Sequence, residues 1–325
     1  MKYLILVPDG CADYSLPELG ERTPMQAADT PNMDRLATEG CGGLVQMIPS
    51  SRPAGSDVGN LEIFGYDTTV HYTGRAPLEA AAMDLPMGPD DIAWRCNTIT
   101  RDGDTLVDYS AGHIDTDEAR EVIEAVGAEL NTAAIRFHPG VGYRHIVIFT
   151  GGPEALTSYP PHDIMGQSIQ QHLPTGEGEE QIRSLMSQAE PVLHDHPVNT
   201  RRISAGKGPA NAIWLWGSGR PLTVPTVGER FGLRAGVISA VDLVRGIGQC
   251  AGYENIEVPG ITGFTDTNYE GKADHALEAL RSGLDLVYVH VEAPDECGHN
   301  GDAGAKVTAL EDFDGRVVGR ILKGL

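Results

Sequence analysis

Ser56 stands in the stretch Pro53-Ala54-Gly55-Ser56-Asp57-Val58-Gly59-Asn60-Leu61-Glu62-Ile63-Phe64-Gly65-Tyr66-Asp67. A Pro-Ala-Gly turn leads into a short helical pattern, with apolar residues at 58, 61, 63 and 64. This pattern predicts Ser56 at or beside a helix N-terminus, where unpaired N–H groups and the helix dipole favour an anion. A serine hydroxyl is a weak nucleophile until a base or a metal activates it. The plainer alternative is a helix N-cap, a role serine fills well. Asp9 follows the apolar run Tyr3-Leu4-Ile5-Leu6-Val7; its alternative is a turn former before Gly10. Asp295 and His299 lie four apart in Glu292-Ala293-Pro294-Asp295-Glu296-Cys297-Gly298-His299, directly after another apolar run. That is metal-ligand spacing, and carboxylate plus imidazole suits Mn²⁺ or Zn²⁺ rather than Ca²⁺. The alternative is a polar loop, with Asp295 capping a turn and His299 exposed. Together, three strand ends of one sheet would gather a carboxylate, a hydroxyl and an Asp/His pair around one or two metals. Such a site lowers the serine pKa and neutralises charge developing on a phosphoryl group, so that Ser56 can attack phosphorus in line.

The elements that must position these residues can be read along the chain. The unbroken apolar run at 3–7 predicts a strand buried on both faces, as in a parallel sheet between helices. Ligand sites in such sheets lie beyond the C-terminal strand ends. Thr23-Pro24 and Thr30-Pro31 open helices, and Leu44-Val45-Gln46-Met47-Ile48 reads as a second strand that would deliver Ser56 to the same sheet edge. Residues 76–83 predict a helix. From about 88 the pattern changes to strand (92–100), turn, strand (105–109), helix (115–130) and two strands (135–137 and 143–149). That is a small α+β unit inserted in the larger domain. Glycines and prolines at 151–176 mark the return, and a helix is expected near 179–189. Strands at 212–217, 235–240 and 286–291, with helices at 241–250, 268–282 and 303–322, resume the α/β rhythm. The expected division is 1–87 with 178–325 as the core domain and 88–177 as the insertion, hinged near 86–90 and 174–178.

The 325 residues carry a formal net charge of −22. That balance excludes nucleic acid and anionic membrane surfaces as partners. A phosphorylated substrate would enter an unfavourable global field, so local arginines must dominate where it binds. Hydrophobic content of 41% and charged content of 22% describe an ordinary globular chain. No run approaches a membrane span and the N-terminus does not read as a signal peptide, so a cytoplasmic location is expected. The five cysteines are scattered without a CxxC, which argues against a disulfide framework or a thiolate zinc site. No G-x-G-x-x-G follows the first strand, which excludes a plain dinucleotide-binding reading.

The combination resembles the archaeal-type cofactor-independent phosphoglycerate mutases of the alkaline phosphatase superfamily. The resemblance rests on Val7-Pro8-Asp9-Gly10, Pro24-Met25-Gln26-Ala27-Ala28, Thr30-Pro31-Asn32-Met33-Asp34, Gly55-Ser56-Asp57-Val58-Gly59-Asn60, Gly65-Tyr66-Asp67, Ala210-Asn211-Ala212-Ile213-Trp214-Leu215-Trp216-Gly217 and His290-Val291-Glu292-Ala293-Pro294-Asp295-Glu296. It implies an alkaline-phosphatase-like, mostly parallel sheet sandwiched by helices, with a smaller inserted α+β domain. It also implies interconversion of 3-phosphoglycerate and 2-phosphoglycerate through a phosphoserine at Ser56. Asp9, Ser56, Asp295 and His299 would hold two divalent ions, Mn²⁺ first, with Mg²⁺, Co²⁺ and Zn²⁺ as alternatives. Arg144, His145 and Lys272 become candidates to hold phosphate and carboxylate, with His113, Arg201 and Arg202 behind them. The partner implied is a small phosphorylated metabolite, and a homo-oligomer is left open.

One departure stands out. The resembling family continues past the last helix with an Asp-His pair and a further His that complete its metal sites, whereas this sequence ends at Lys323-Gly324-Leu325. His194-Asp195-His196 lies upstream of Asp295 and does not replace them. The expectation is incomplete metal binding and low mutase activity for the sequence as given, restored by a C-terminal segment. The rivals are a phosphomonoesterase or a mutase for another phosphorylated metabolite on the same core, and a non-catalytic homologue.

Overall fold

The computed structural model describes residues 1–52, 54–154 and 156–325; the Pro53 of the expected Pro-Ala-Gly turn lies outside them. In chain order the strands are β1 (Tyr3–Pro8), β2 (Asp91–Asp102), β3 (Thr105–Asp108), β4 (Ile135–His138), β5 (Arg144–Thr150), β6 (Ala212–Gly219), β7 (Ala235–Ile238), β8 (Tyr253–Asn255) and β9 (Leu286–Val291). The chain divides into two compact units, Met1–Val70 with Thr223–Leu325, and His71–Leu222. Among the described residues no helix is long and apolar enough to cross a membrane.

The first unit is built on a parallel sheet in the order β1-β9-β7-β8. Its central strand β9 is buried along its whole length, as the continuous run Leu-Val-Tyr-Val-His-Val predicts for a strand covered on both faces. Alternation divides those side chains. Val287, Val289 and Val291 pack into a core with Tyr269, Ala273 and Leu277 of the helix Tyr269–Arg281, and with Phe313 and Val317 near the C-terminus. Tyr288 and His290 face the other way, where Tyr288 stacks on Phe64 with ring centroids 4.2 Å apart. Phe64 ends the helix Ser56–Ile63, so this helix covers the second face of the sheet.

Leu44–Ile48, expected as a second strand, belongs to neither sheet. Leu44 and Val45 are fully or largely exposed. A short apolar run makes a strand only when a neighbour accepts its ladder, and this one has none among the described residues. Ser56 therefore reaches the sheet edge by its helix rather than from a strand end.

The second unit is an antiparallel sheet, β3-β2-β5-β4, with β6 also pairing β2. One face packs Trp94, Cys96, Val147 and Phe149 against the helices Thr116–Leu130 and Glu179–His194. The other packs Ala93, Ile146 and Ile148 against Ala76 and Ala80 of the helix Ala76–Ala82. This unit is wider than the expected 88–177. The reason lies in β6: its Ile213, Leu215 and Trp216 pair with β2 in antiparallel register instead of joining the parallel sheet. That pairing draws the helices at 179–194 and 197–204 into the second unit as well.

A candidate active site and metal centre

Asp9 is the first residue past β1, and its N–H donates to the Val291 carbonyl, 2.9 Å away, at the end of β9. The chain then turns through Gly10 at φ +65°. A Cβ on Gly10 would stand 2.5 Å from Asp295 Cα and 2.7 Å from Asp295 Oδ1. Glycine is thus required twice, for the left-handed backbone and for the close approach of Asp295. Asp295 and His299 are on a helix, Ala293–His299, where a polar loop was the alternative. Helical i,i+4 spacing puts them on one face, and His299 Nε2 lies 3.2 Å from Asp295 Oδ2. Burial raises the Asp295 pKa, and the nearby Asp9 charge adds to it, while His299 opposes both. The close approach of Asp295 to Gly10 sets its carboxyl beside the turn that follows Asp9.

Ser56 occupies the first position of its helix; the N-cap is Gly55, and no side chain caps this end. The N-cap alternative for Ser56 is therefore set aside. One turn on, the buried Asn60 ties this helix to the site. Its Nδ2 donates to Asp9 Oδ2 at 3.1 Å and to the Ser56 carbonyl at 3.0 Å. Its Oδ1 accepts from the Tyr288 hydroxyl at 2.8 Å. One amide side chain thereby joins the Ser56 helix, β9 and Asp9.

His290, on β9, was not assigned a role from the sequence, where a histidine within an apolar strand reads as core. Its Nε2 lies 2.9 Å from Asp9 Oδ2 and 3.3 Å from Glu292 Oε2. A carboxylate only accepts, so Nε2 carries the proton, and Nδ1 then accepts from Ser239 Oγ at 3.2 Å, beyond the end of β7. The ends of three adjacent parallel strands thus converge on Asp9. Burial works against the Asp9 charge, but the His290, Asn60 and Gly10 hydrogen bonds outweigh it and hold its pKa below the ordinary carboxylate value. One atom each of Asp9, His290 and Glu292 lies within 4.8 Å of the others; with the His290 proton on Nε2, the ligand atoms this group offers are those of the two carboxylates. Carboxylates and imidazoles so grouped, with Asp295 and His299 on the adjoining helix, fit a first-row divalent cation. The signal in sequence was the period-2 phase of β9: His290 shares its face with Tyr288 and stands two residues before Glu292.

Lys272 is fully buried on the opposite side of β9, and its Nζ donates to the His290 carbonyl at 2.6 Å. Burial lowers its pKa to about 8, while Glu292 pulls the other way. This places it beneath the site as a support for β9 rather than on the helix surface.

The model of the family 2,3-bisphosphoglycerate-independent phosphoglycerate mutase matches residues 37–199. The enzyme of that name from Methanosarcina acetivorans is 51% identical over 324 residues, covering 99% of this chain and 81% of its own. The chain belongs to that family. Among solved structures, a Pyrococcus horikoshii protein superposes with a TM-score of 0.83 at 28% identity, covering 100% of this chain and 78% of that one. The cofactor-independent phosphoglycerate mutase of Thermoplasma acidophilum superposes at 0.62 with 26% identity, covering 99% and 84%.

In this phosphoglycerate mutase family member the remaining candidates all lie in the second unit. Arg144 is exposed at the start of β5. His145, next along the strand, points the other way and is buried. Its Nδ1 accepts from the Gly140 N–H, and burial depresses its pKa to about 3. Alternation across a strand therefore separates the expected Arg144–His145 pair, and His145 is a neutral core histidine. His113 is exposed on a turn in which Ala111, Gly112 and His113 all take positive φ. Arg202, buried, holds that turn through the Ala111 carbonyl, and it also pairs with Glu118. Arg202 is thus a structural arginine, and the strained turn that it holds leaves His113 exposed. Arg201 is exposed and paired with Glu121 at 3.0 Å.

Proposed function

We propose that this chain interconverts 3-phosphoglycerate and 2-phosphoglycerate through a phosphoserine formed at Ser56. The observation that carries the reading is the convergence on Asp9. Asn60 of the Ser56 helix reaches it from one side, and Asp295 approaches through Gly10 from the other. Asp9, Asp295, His299 and Glu292 would hold divalent cations, Mn²⁺ first. When bound, such ions lower the pKa of a nearby hydroxyl and neutralise charge on a phosphoryl group. The chain's own groups do the rest. The helix that begins at Ser56 points the positive end of its dipole toward an anion there. The His290 and Asn60 hydrogen bonds keep Asp9 ionised and fixed in orientation. Arg144 and His113, both exposed, are the candidates for anion contact within the second unit. Five cysteines, all free, fit a reducing cytoplasm.

The test is turnover of 3-phosphoglycerate with Mn²⁺, together with mass spectrometry of the quenched protein. Ser56→Ala is expected to abolish both isomerisation and the phosphorylated peptide. A wild-type rate in that variant would remove Ser56 from the mechanism.

A further inference from the structure

Asp9 Oδ2 is reached by two residues from one face of β9. His290 reaches it directly, with Nε2 2.9 Å away. Tyr288, two residues earlier, reaches it through Asn60. Its hydroxyl donates to Asn60 Oδ1 at 2.8 Å, and Asn60 Nδ2 donates to Asp9 Oδ2 at 3.1 Å. The same Nδ2 donates to the Ser56 carbonyl at 3.0 Å. Asn60 and Tyr288 are both buried.

The chemistry of the partners decides which way round the Asn60 amide lies. A carboxylate and a backbone carbonyl only accept, so both face the NH₂ group, and its two protons are both in use. The other end of the amide is an acceptor, which only a donor satisfies. The Tyr288 hydroxyl is that donor, and Asn60 is its one hydrogen-bond partner among the described residues. The opposite orientation would set an amide oxygen against the Asp9 carboxylate.

Packing alone does not call for this chain of bonds. The helix Ser56–Ile63 is already anchored by buried Val58 and Leu61, and by Phe64 stacked on the Tyr288 ring. Stacking needs no hydroxyl, and a buried asparagine is a costly residue for a helix unless its polar atoms are matched. Ser56 Oγ has no hydrogen-bond partner among the described residues. The place of that hydroxyl therefore follows from its backbone, and the Asn60 amide ties this backbone to Asp9.

We propose that Tyr288 and Asn60 are positioning residues that act as a relay. The Tyr288 hydroxyl orients the Asn60 amide, and the amide fixes Ser56 against Asp9. The part of Ser56 as phosphoryl acceptor rests on the proposed function; the relay itself does not.

Tyr288→Phe, Asn60→Ala and the double variant test the relay in two ways. The first is turnover of 3-phosphoglycerate with Mn²⁺. A misplaced nucleophile slows the reaction without weakening substrate binding, so kcat is expected to fall about tenfold or more in Tyr288→Phe with KM unchanged. Asn60→Ala should fall at least as far. Adding Tyr288→Phe to it should cost nothing further, because the relay is already cut. A merely structural hydroxyl would lower the urea midpoint of Tyr288→Phe and leave kcat at the wild-type value, and that result overturns the proposal. A second full loss in the double variant does the same. The other test is proton exchange at the Asn60 side-chain amide, followed by NMR of the metal-free protein carrying isotope-labelled asparagine. Asn60→Ala assigns the resonance by its disappearance. Exchange should be slow in wild type and about tenfold or more faster in Tyr288→Phe. Fast exchange in wild type, or an unchanged rate in Tyr288→Phe, overturns the relay. A wild-type protein without turnover removes the proposed function, and amide exchange then decides the relay alone.

Discussion

Asp9 has two oxygens and three protein donors: Gly10 N–H on Oδ1, and both Asn60 and His290 on Oδ2. Such crowding fixes the carboxylate before any ligand arrives, and holding a ligand in one orientation is what outer partners do in metal sites. Asp9 and Asp295 could be read in the sequence because each follows an apolar run that can only be a buried strand. His290 and Glu292 could not, because burial hides a functional histidine among core residues until its partners are known. The reverse holds for His145, which was grouped with Arg144 as a substrate contact and is instead a core residue. Its folded pKa, about 3, lies below the ordinary value of 6.5. Between those values the unfolded chain takes up a proton that the native state refuses. The contribution to stability is therefore full above pH 6.5 and drains as pH falls toward 3, by about 1.4 kcal/mol per unit. Urea unfolding at pH 7 and pH 5 should show a loss of about 2 kcal/mol from this residue. In His145→Gln that share of the acid sensitivity should vanish; an unchanged slope would refute the assignment.

At the scale of elements, the site is a set of strand ends and two helix starts held at fixed approach. Gly10 is the tightest point. Gly10→Ala adds a Cβ that meets the Asp295 backbone at 2.5 Å, at a left-handed φ. Strain of this kind costs about 1–3 kcal/mol. The expected outcome is a lower urea midpoint, together with Mn²⁺ affinity reduced tenfold or more in a metal titration. Affinity at the wild-type level would show that Asp295 does not need this approach. Elements with internal signals were legible: the apolar runs of β1 and β9, and the helix at 116–130 with its Val122, Ile123 and Val126 stripe. Elements decided by distant partners were not. Leu44–Ile48 has strand composition and no ladder, and β6 has a buried run that either sheet could accept. Its choice follows from register with β2 and from the Trp216–Asn97 hydrogen bond, neither of which is a local property.

At the scale of the whole molecule, each unit has its own hydrophobic core. The second unit runs from His71 to Leu222, because β6 and the helices before it follow β2. All the proposed metal donors belong to the first unit. A ligand that binds the native state stabilises it by about 2.7 kcal/mol at a hundredfold excess over Kd. Scanning calorimetry with and without Mn²⁺ should therefore raise the melting temperature of the first unit and leave that of His71–Leu222 unmoved. A shift confined to the second unit would place the cation elsewhere.

The proposed chemistry requires the Ser56 helix, the end of β1 and the helix Ala293–His299 to meet at a cation. Anomalous diffraction at the manganese edge, from crystals grown with Mn²⁺, tests that meeting directly. It should show an ion at coordinating distance from Asp9 and Asp295, with Ser56 Oγ turned toward it. Manganese bound only away from Asp9 and Asp295, or a Ser56 hydroxyl remote from the ion, would contradict it.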